Sequence, residues 1–242
     1  MIIFRNVEKY FEEKQVLNGL DLEIQDGETL TILGPSGSGK TVILKLMIGV
    51  LKPDNGEIII DGQNIVNFNS SQLMRLRKKM GFVFQLGALL DSMTVGENVG
   101  LFLKVHTKLS SQEIQQRVRQ SLEMVDLHDV ENLRPEELSG GMLKRAAIAR
   151  AIAIQPKYLL YDEPTTGLDP KTCQTINNLI IRMQKKLKIT SVVVTHDIDS
   201  AVKVSDRIAM LYQGKIVAIE KSDQIYQSSN EVINDFLKGE IF

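Results

Sequence analysis

Residues 34–41 read Gly34-Pro35-Ser36-Gly37-Ser38-Gly39-Lys40-Thr41, in the spacing G-x-x-x-x-G-K-[ST]. Glycines at this spacing let backbone N–H groups turn inward and cradle phosphate at the start of a helix. Lys40 is placed to reach the β- and γ-phosphates of a nucleotide, and the Thr41 hydroxyl to ligate Mg²⁺. A second stretch, "YLLYDEP" (158–164), is an apolar run that delivers two adjacent acids. Asp162 suits Mg²⁺ through its water shell, and Glu163 suits a general base facing the attacking water. Alternation along a strand sends neighbouring side chains to opposite faces, so the two acids can take different tasks. A third, "VVVTHD", puts His196 at a strand end, where it can hydrogen-bond a γ-phosphate and position water. Gln85 closes the strand "MGFVFQ", where its amide can touch Mg²⁺ or water and report occupancy to the segment that follows. Leu138-Ser139-Gly140-Gly141-Met142 opens another helix, and its N–H groups and positive dipole end invite an anion. The 34–41 loop already holds a triphosphate from one side. A second anion site therefore implies another subunit presenting it to the same nucleotide.

These residues need a scaffold, and the chain shows one. Residues 1–31 alternate apolar and polar positions in short runs, which predicts strands joined by turns at Asn18-Gly19 and Asp26-Gly27. "GEIIIDGQNI" is a strand with a turn at Asp61-Gly62, and "DRIAMLYQGKIVAIE" a hairpin around Gln213-Gly214. From about Leu86 to Pro135 the character changes. Ile114, Val118, Leu122 and Val125 recur at helical spacing, which predicts a helical insertion. "KRAAIARAIAI" and "QTINNLIIRMQKKL" read as helices, and "ITSVVVTHD" as a buried strand. Strands alternating with helices predict a largely parallel sheet covered by helices. In such sheets ligands lie beyond the carboxyl ends of the strands. The phosphate loop, "YDEP" and "VTHD" all fall at such ends.

The composition sets limits. The 242 residues suit one α/β domain with an inserted subdomain. Net charge is −1, with 29 Lys+Arg against 30 Asp+Glu, which gives no sign of a polyanion binder, so no nucleic-acid partner is expected. The basic run "RLRKK" (75–79) reads as a solvated face. The single cysteine, Cys173, forbids an intrachain disulfide and fits a reducing compartment. The first residues become charged too early for a secretion signal. No stretch approaches the roughly 20 apolar residues of a membrane span. A cytosolic chain, or one peripheral to a membrane, is expected.

Taken together, these motifs resemble the ATP-binding cassette (ABC) ATPases over essentially the whole chain. The resemblance implies a P-loop NTPase with a mostly parallel core sheet, an N-terminal antiparallel β-subdomain and an inserted α-helical subdomain at approximately 86–155. All belong to a single domain over 1–242. It implies a head-to-tail dimer with two ATP molecules between the subunits. Carried over to this chain, the nucleotide-binding residues are Gly34, Pro35, Ser36, Gly37, Ser38, Gly39, Lys40, Thr41, Gln85, Ser139, Gly140 and Gly141. The Mg²⁺ residues are Thr41, Gln85 and Asp162, and the catalytic ones Glu163 and His196. Asp169 in "TTGLD" also matches. The family's adenine-stacking aromatic falls near Tyr10-Phe11, and Phe11 has the better position relative to Val16-Leu17.

A narrower resemblance rests on "FQLGALLDSMTVGENV", "LKVHTKL", "LSGGMLKRAAIARAIA" and "INDFLKG". These look like the ATPase subunit of the Mla (maintenance of lipid asymmetry) transporters and their chloroplast relatives, where methionine after "LSGG" is typical. That implies phospholipid transport, an integral membrane permease, an MCE-domain lipid-binding partner, and a cytoplasmic site on the inner face of the membrane. The stretch 162–170 looks like a generic ABC importer and does not help the lipid assignment. The alternatives are an importer ATPase for a polar solute and a non-transport ABC protein. The second generally needs a long coiled-coil insertion or two cassettes, and neither is present. A nucleotide-binding regulatory module without hydrolysis is a third, against which Glu163 and His196 argue.

Overall fold

The computed structural model describes residues 1–241. In chain order the first elements are β1 (Ile2–Phe11), β2 (Lys14–Ile24), β3 (Thr29–Leu33), α1 (Lys40–Met47), β4 (Asn55–Ile60), β5 (Gln63–Asn64), α2 (Ser70–Arg77) and β6 (Met80–Val83). Then follow α3 (Val95–His106), α4 (Ser111–Glu123), α5 (Gly140–Ala153), β7 (Tyr158–Asp162), α6 (Pro170–Leu187), β8 (Thr190–Thr195), α7 (Ile198–Val204), β9 (Arg207–Tyr212), β10 (Lys215–Lys221) and α8 (Glu231–Lys238).

The fold is α/β with two sheets. One is antiparallel, in the order β2-β1-β4-β5. Its strands alternate: Ile2, Phe4, Val7, Leu20, Leu22 and Ile24 are buried, while Arg5, Asp21 and Glu23 face solvent. The other runs β10-β9-β3-β8-β7-β6 and is parallel except for the β9–β10 hairpin. Its central strands β3, β7 and β8 are buried along their whole length, as strands covered on both faces must be. Side chains of α1 (Ile43, Leu44, Leu46, Met47) join the two sheets in one apolar cluster with Tyr158 and Leu160. A second cluster gathers α3, α4, α5 and α6 around Val99, Leu122, Ile148 and Ile180. Helices α2, α3 and α4 start with reciprocal caps: Asn69 with Gln72, Thr94 with Glu97, and Ser110 with Glu113. Among the described residues no helix is long and apolar enough to cross a membrane.

Three local expectations change. Asn18-Gly19 is not a hairpin turn, because β2 runs straight through it. The β1–β2 turn is at Glu12-Glu13, with Glu12 at φ 53. Gly19, at φ +66, instead serves an irregularity of the ladder, where an added Cβ would lie 2.8 Å from Asn6 Oδ1. The strand expected to end at Gln85 ends at Val83, which leaves Gln85 in the following turn. The third change, at Asp162-Glu163, belongs to the site below. The turns at Asp26-Gly27, Asp61-Gly62 and Gln213-Gly214 stand where expected.

Candidate functional site

The loop 34–41 joins β3 to α1 at the carboxyl edge of the parallel sheet. Its geometry depends on glycine. A Cβ on Gly34 would lie 2.4 Å from the Leu211 carbonyl oxygen, and Gly39, at φ +104, would meet Val16 Cγ1 at 2.9 Å. Lys40 is buried, and its Nζ donates to the carbonyls of Gly34 (2.8 Å) and Pro35 (2.9 Å). The same Nζ lies 3.6 Å from Glu163 Oε1. Burial pushes the Lys40 pKa down, and the Glu163 charge pulls it back. Among the described residues the buried Ser38 hydroxyl has no hydrogen-bond partner. An orphaned hydroxyl and a folded-back ammonium, in a loop where Gly34 and Gly39 leave no room for a Cβ, fit a phosphate group.

Thr41 Oγ1 donates to Asp162 Oδ1 at 2.8 Å. Burial raises the Asp162 pKa; the Thr41 hydrogen bond opposes this, and the nearby Glu163 charge adds to it. A hydroxyl and a carboxylate that resists being charged alone are hard oxygen donors of the kind Mg²⁺ prefers. Gln85 is exposed, and among the described residues no hydrogen bond joins its side chain to this pair.

Strand β7 ends at Asp162, and Glu163 leaves it with φ 47. This left-handed step, rather than strand alternation, parts the two carboxylates. The Glu163 N–H donates to the Val194 carbonyl at 2.9 Å. Its buried carboxylate accepts from Thr166 Oγ1 (3.0 Å) and Thr195 Oγ1 (3.2 Å), and His196 Nδ1 lies 3.0 Å from both oxygens. So β3–α1, β7 and β8 bring Lys40, Thr41, Asp162, Glu163 and His196 into one cluster. Thr166 and Thr195 stand inside quoted motifs, yet a lone threonine carries no signal of its own.

Three further expected groups lie outside this cluster. Ser139 caps α5, its Oγ accepting from the Met142 N–H at 3.3 Å. Ser139 and Gly140 are exposed, and among the described residues no hydrogen bond joins 138–142 to the 34–41 loop. Asp169 caps α6 through the N–H groups of Lys171 and Thr172. Phe11 is exposed at the β1–β2 tip, with Lys9 Nζ 5.4 Å from its ring centroid. It pairs with Lys14, and Tyr10 pairs with Gln15. Between Gln15 and Leu17 the ladder gains a residue at Val16, whose side chain borders Gly39. Strand alternation along β1 puts Phe11 on the same face as Lys9.

The ABC transporter family's sequence model matches residues 17–166. The intermembrane phospholipid transport system ATP-binding protein MlaF of Haemophilus influenzae is 41% identical over 228 residues, 94% of this chain and 86% of that protein. The chloroplastic protein TRIGALACTOSYLDIACYLGLYCEROL 3 of Arabidopsis thaliana is 41% identical, covering 100% of this chain and 74% of that protein. Among solved structures, the dimeric post-hydrolysis state of the ATP-binding cassette MJ0796 bound to ADP and Pi has a TM-score of 0.83 at 37% identity. It covers 92% of this chain and 99% of that one.

Proposed function

Because the chain belongs to the ABC transporter family, we propose that this ATPase is the motor subunit of a phospholipid transporter, working as a head-to-tail dimer under a membrane permease. The observation that carries the lipid reading is the 41% identity, over 94% of the chain, to the ATP-binding protein of a phospholipid transport system. An MCE-domain lipid-binding protein and a position on the inner face of the membrane complete the proposal. The dimeric MJ0796 cassette supports the assembly.

In this reading the 34–41 loop grips the phosphates. Lys40 exchanges the carbonyls of Gly34 and Pro35 for phosphate oxygens, and Ser38 gains a partner. Thr41 and Asp162, with Gln85 moving in, would hold Mg²⁺, which when bound neutralises phosphate charge. Ser139 and the amides of Gly140 and Gly141 from a second copy reach the same γ-phosphate. Glu163 takes the proton of the attacking water, with Thr166, Thr195 and His196 fixing its carboxylate. Phosphoryl transfer needs chiefly positioning and charge stabilisation, and these groups supply both. Phe11 stacks on the base.

The helices between about 86 and 155 form the subdomain that faces the permease. Next to Gln85, Phe84, Leu86 and Leu90 are exposed, Leu86 by 89%, and suit an apolar segment of a membrane partner. The test is to purify the chain with its membrane partners and identify bound lipid by mass spectrometry. Phospholipid with an MCE-domain protein supports the reading. A receptor for a polar solute, with no lipid, replaces it with an importer.

A further inference from the structure

We propose that Lys144 is a positioning residue for hydrolysis: its ammonium ties the main chain at Gln85 to the main chain at Glu163 and so holds the Glu163 carboxylate in place. The inference rests on the reading of Glu163 as the base.

Lys144 lies in the opening turns of α5, five positions beyond Ser139, and is only 7% exposed. A lysine so buried needs partners for its charge. No carboxylate pairs with it among the described residues. Its Nζ donates instead to two carbonyls, that of Gln85 and that of Glu163, the latter at 3.4 Å. Burial pushes its pKa down, and the charges of Glu163, Cys173 and Asp162 oppose that.

Both acceptors matter. Glu163 takes a left-handed conformation that L side chains rarely adopt, so its peptide groups must be held from outside. Its N–H is held by Val194, and its carbonyl by Lys144 and by the Thr166 N–H at 3.4 Å. Gln85 begins a segment with Gly87 at φ +76 and Ala88 at φ 49, which α5 grips at a second point. There Arg150 donates to the carbonyls of Gly87 (2.7 Å) and Ala88 (2.5 Å). Thus α5 carries two cations on the 85–88 segment, and only Lys144 extends to Glu163. The same helix starts with Ser139-Gly140-Gly141. When these engage the nucleotide of a second copy, the displacement of α5 is transmitted to the backbone of Glu163.

The experiment measures MgATP hydrolysis by the full chain with its permease. Lys144→Met and Lys144→Gln are made alone and on the Glu163→Gln background. Lys144→Met should lower kcat about tenfold or more, since a misplacement of about 1 Å can cost on the order of 100-fold. KM for MgATP should stay within about twofold, because the 34–41 loop holds the phosphates. Lys144→Gln keeps a donor and should fall between Met and wild type. On the Glu163→Gln background, Lys144→Met should change the residual rate less than about twofold. Unchanged kcat in Lys144→Met overturns the proposal. So does an equal fall on both backgrounds, which marks a general disturbance of the fold. If Lys144→Met does not accumulate folded, Lys144→Gln is judged by the same criteria. Full hydrolysis by Glu163→Gln alone rejects the base assignment itself, and is told apart because no Lys144 change is involved.

Discussion

Lys40→Met keeps the aliphatic stem in its buried slot and removes only the ammonium. In the folded chain that ammonium makes two hydrogen bonds to loop carbonyls, at 2.8 and 2.9 Å, and an ion pair at 3.6 Å with Glu163. With nucleotide bound, the same donors go to phosphate. Hydrogen bonds to charged groups contribute about 1.5–3 kcal/mol. At 1.4 kcal/mol per tenfold, MgATP should bind about 10- to 150-fold more weakly. AMP, which lacks the β- and γ-phosphates, should lose less than about twofold. The free protein should lose about 1 kcal/mol of stability, because the two carbonyls lose a donor and Glu163 loses its nearest cation. Isothermal titration calorimetry at fixed salt with ATP and AMP reads the first two numbers, and urea unfolding reads the third. An ATP affinity within twofold of wild type, or an equal loss for AMP and ATP, would refute the role given to Lys40.

Gly34→Ala should destabilise by about 1–3 kcal/mol, because its Cβ would lie 2.4 Å from the Leu211 carbonyl oxygen and the β3 end and β9 must move apart. A melting curve should fall by several degrees, and an unchanged one would contradict the crowding argument. Asp61 is partly buried, which works against its ionisation, but hydrogen bonds from Lys157 (2.5 Å), Tyr158 (2.5 Å) and Lys79 (3.0 Å) outweigh this and hold its pKa well below the usual carboxylate range. A depressed folded pKa contributes stability that is full above the unfolded value, near pH 4, and is lost as pH falls toward the folded value. Asp61→Asn should therefore lose about 1 kcal/mol at pH 7, discounted for exposure, and the gap to wild type should narrow at pH 3. Urea unfolding at the two pH values checks this, and a gap that widens in acid contradicts it.

What could be read from the chain was local. The eight residues of the phosphate loop carry their chemistry contiguously, and the buried runs of β3, β7 and β8 show as unbroken apolar stretches. The Asn18-Gly19 error came from equating a glycine at positive φ with a turn, when the ladder uses that φ at an irregularity. The actual turn, Glu12-Glu13, has no residue that announces one. Lys144 and Arg150 escaped notice for another reason. Their acceptors are main-chain carbonyls about 60 positions away, at Gln85, Gly87 and Ala88, and a carbonyl leaves no trace in residue type. Met142, the methionine after "LSGG", is half-buried against the α3–α6 cluster. Its N–H, not its side chain, takes part in the Ser139 cap.

The most direct test of the account is the turnover of Glu163→Gln. The variant keeps a side chain of the same shape beside Thr166, Thr195 and His196 but has no base to take a proton. Removal of a general base should lower kcat by about 10²- to 10⁴-fold, with MgATP still bound and the dimer accumulating in light scattering. Steady-state hydrolysis within about twofold of wild type would contradict the account, because no other carboxylate of the cluster is then left to activate the water except Asp162, which is held by Thr41.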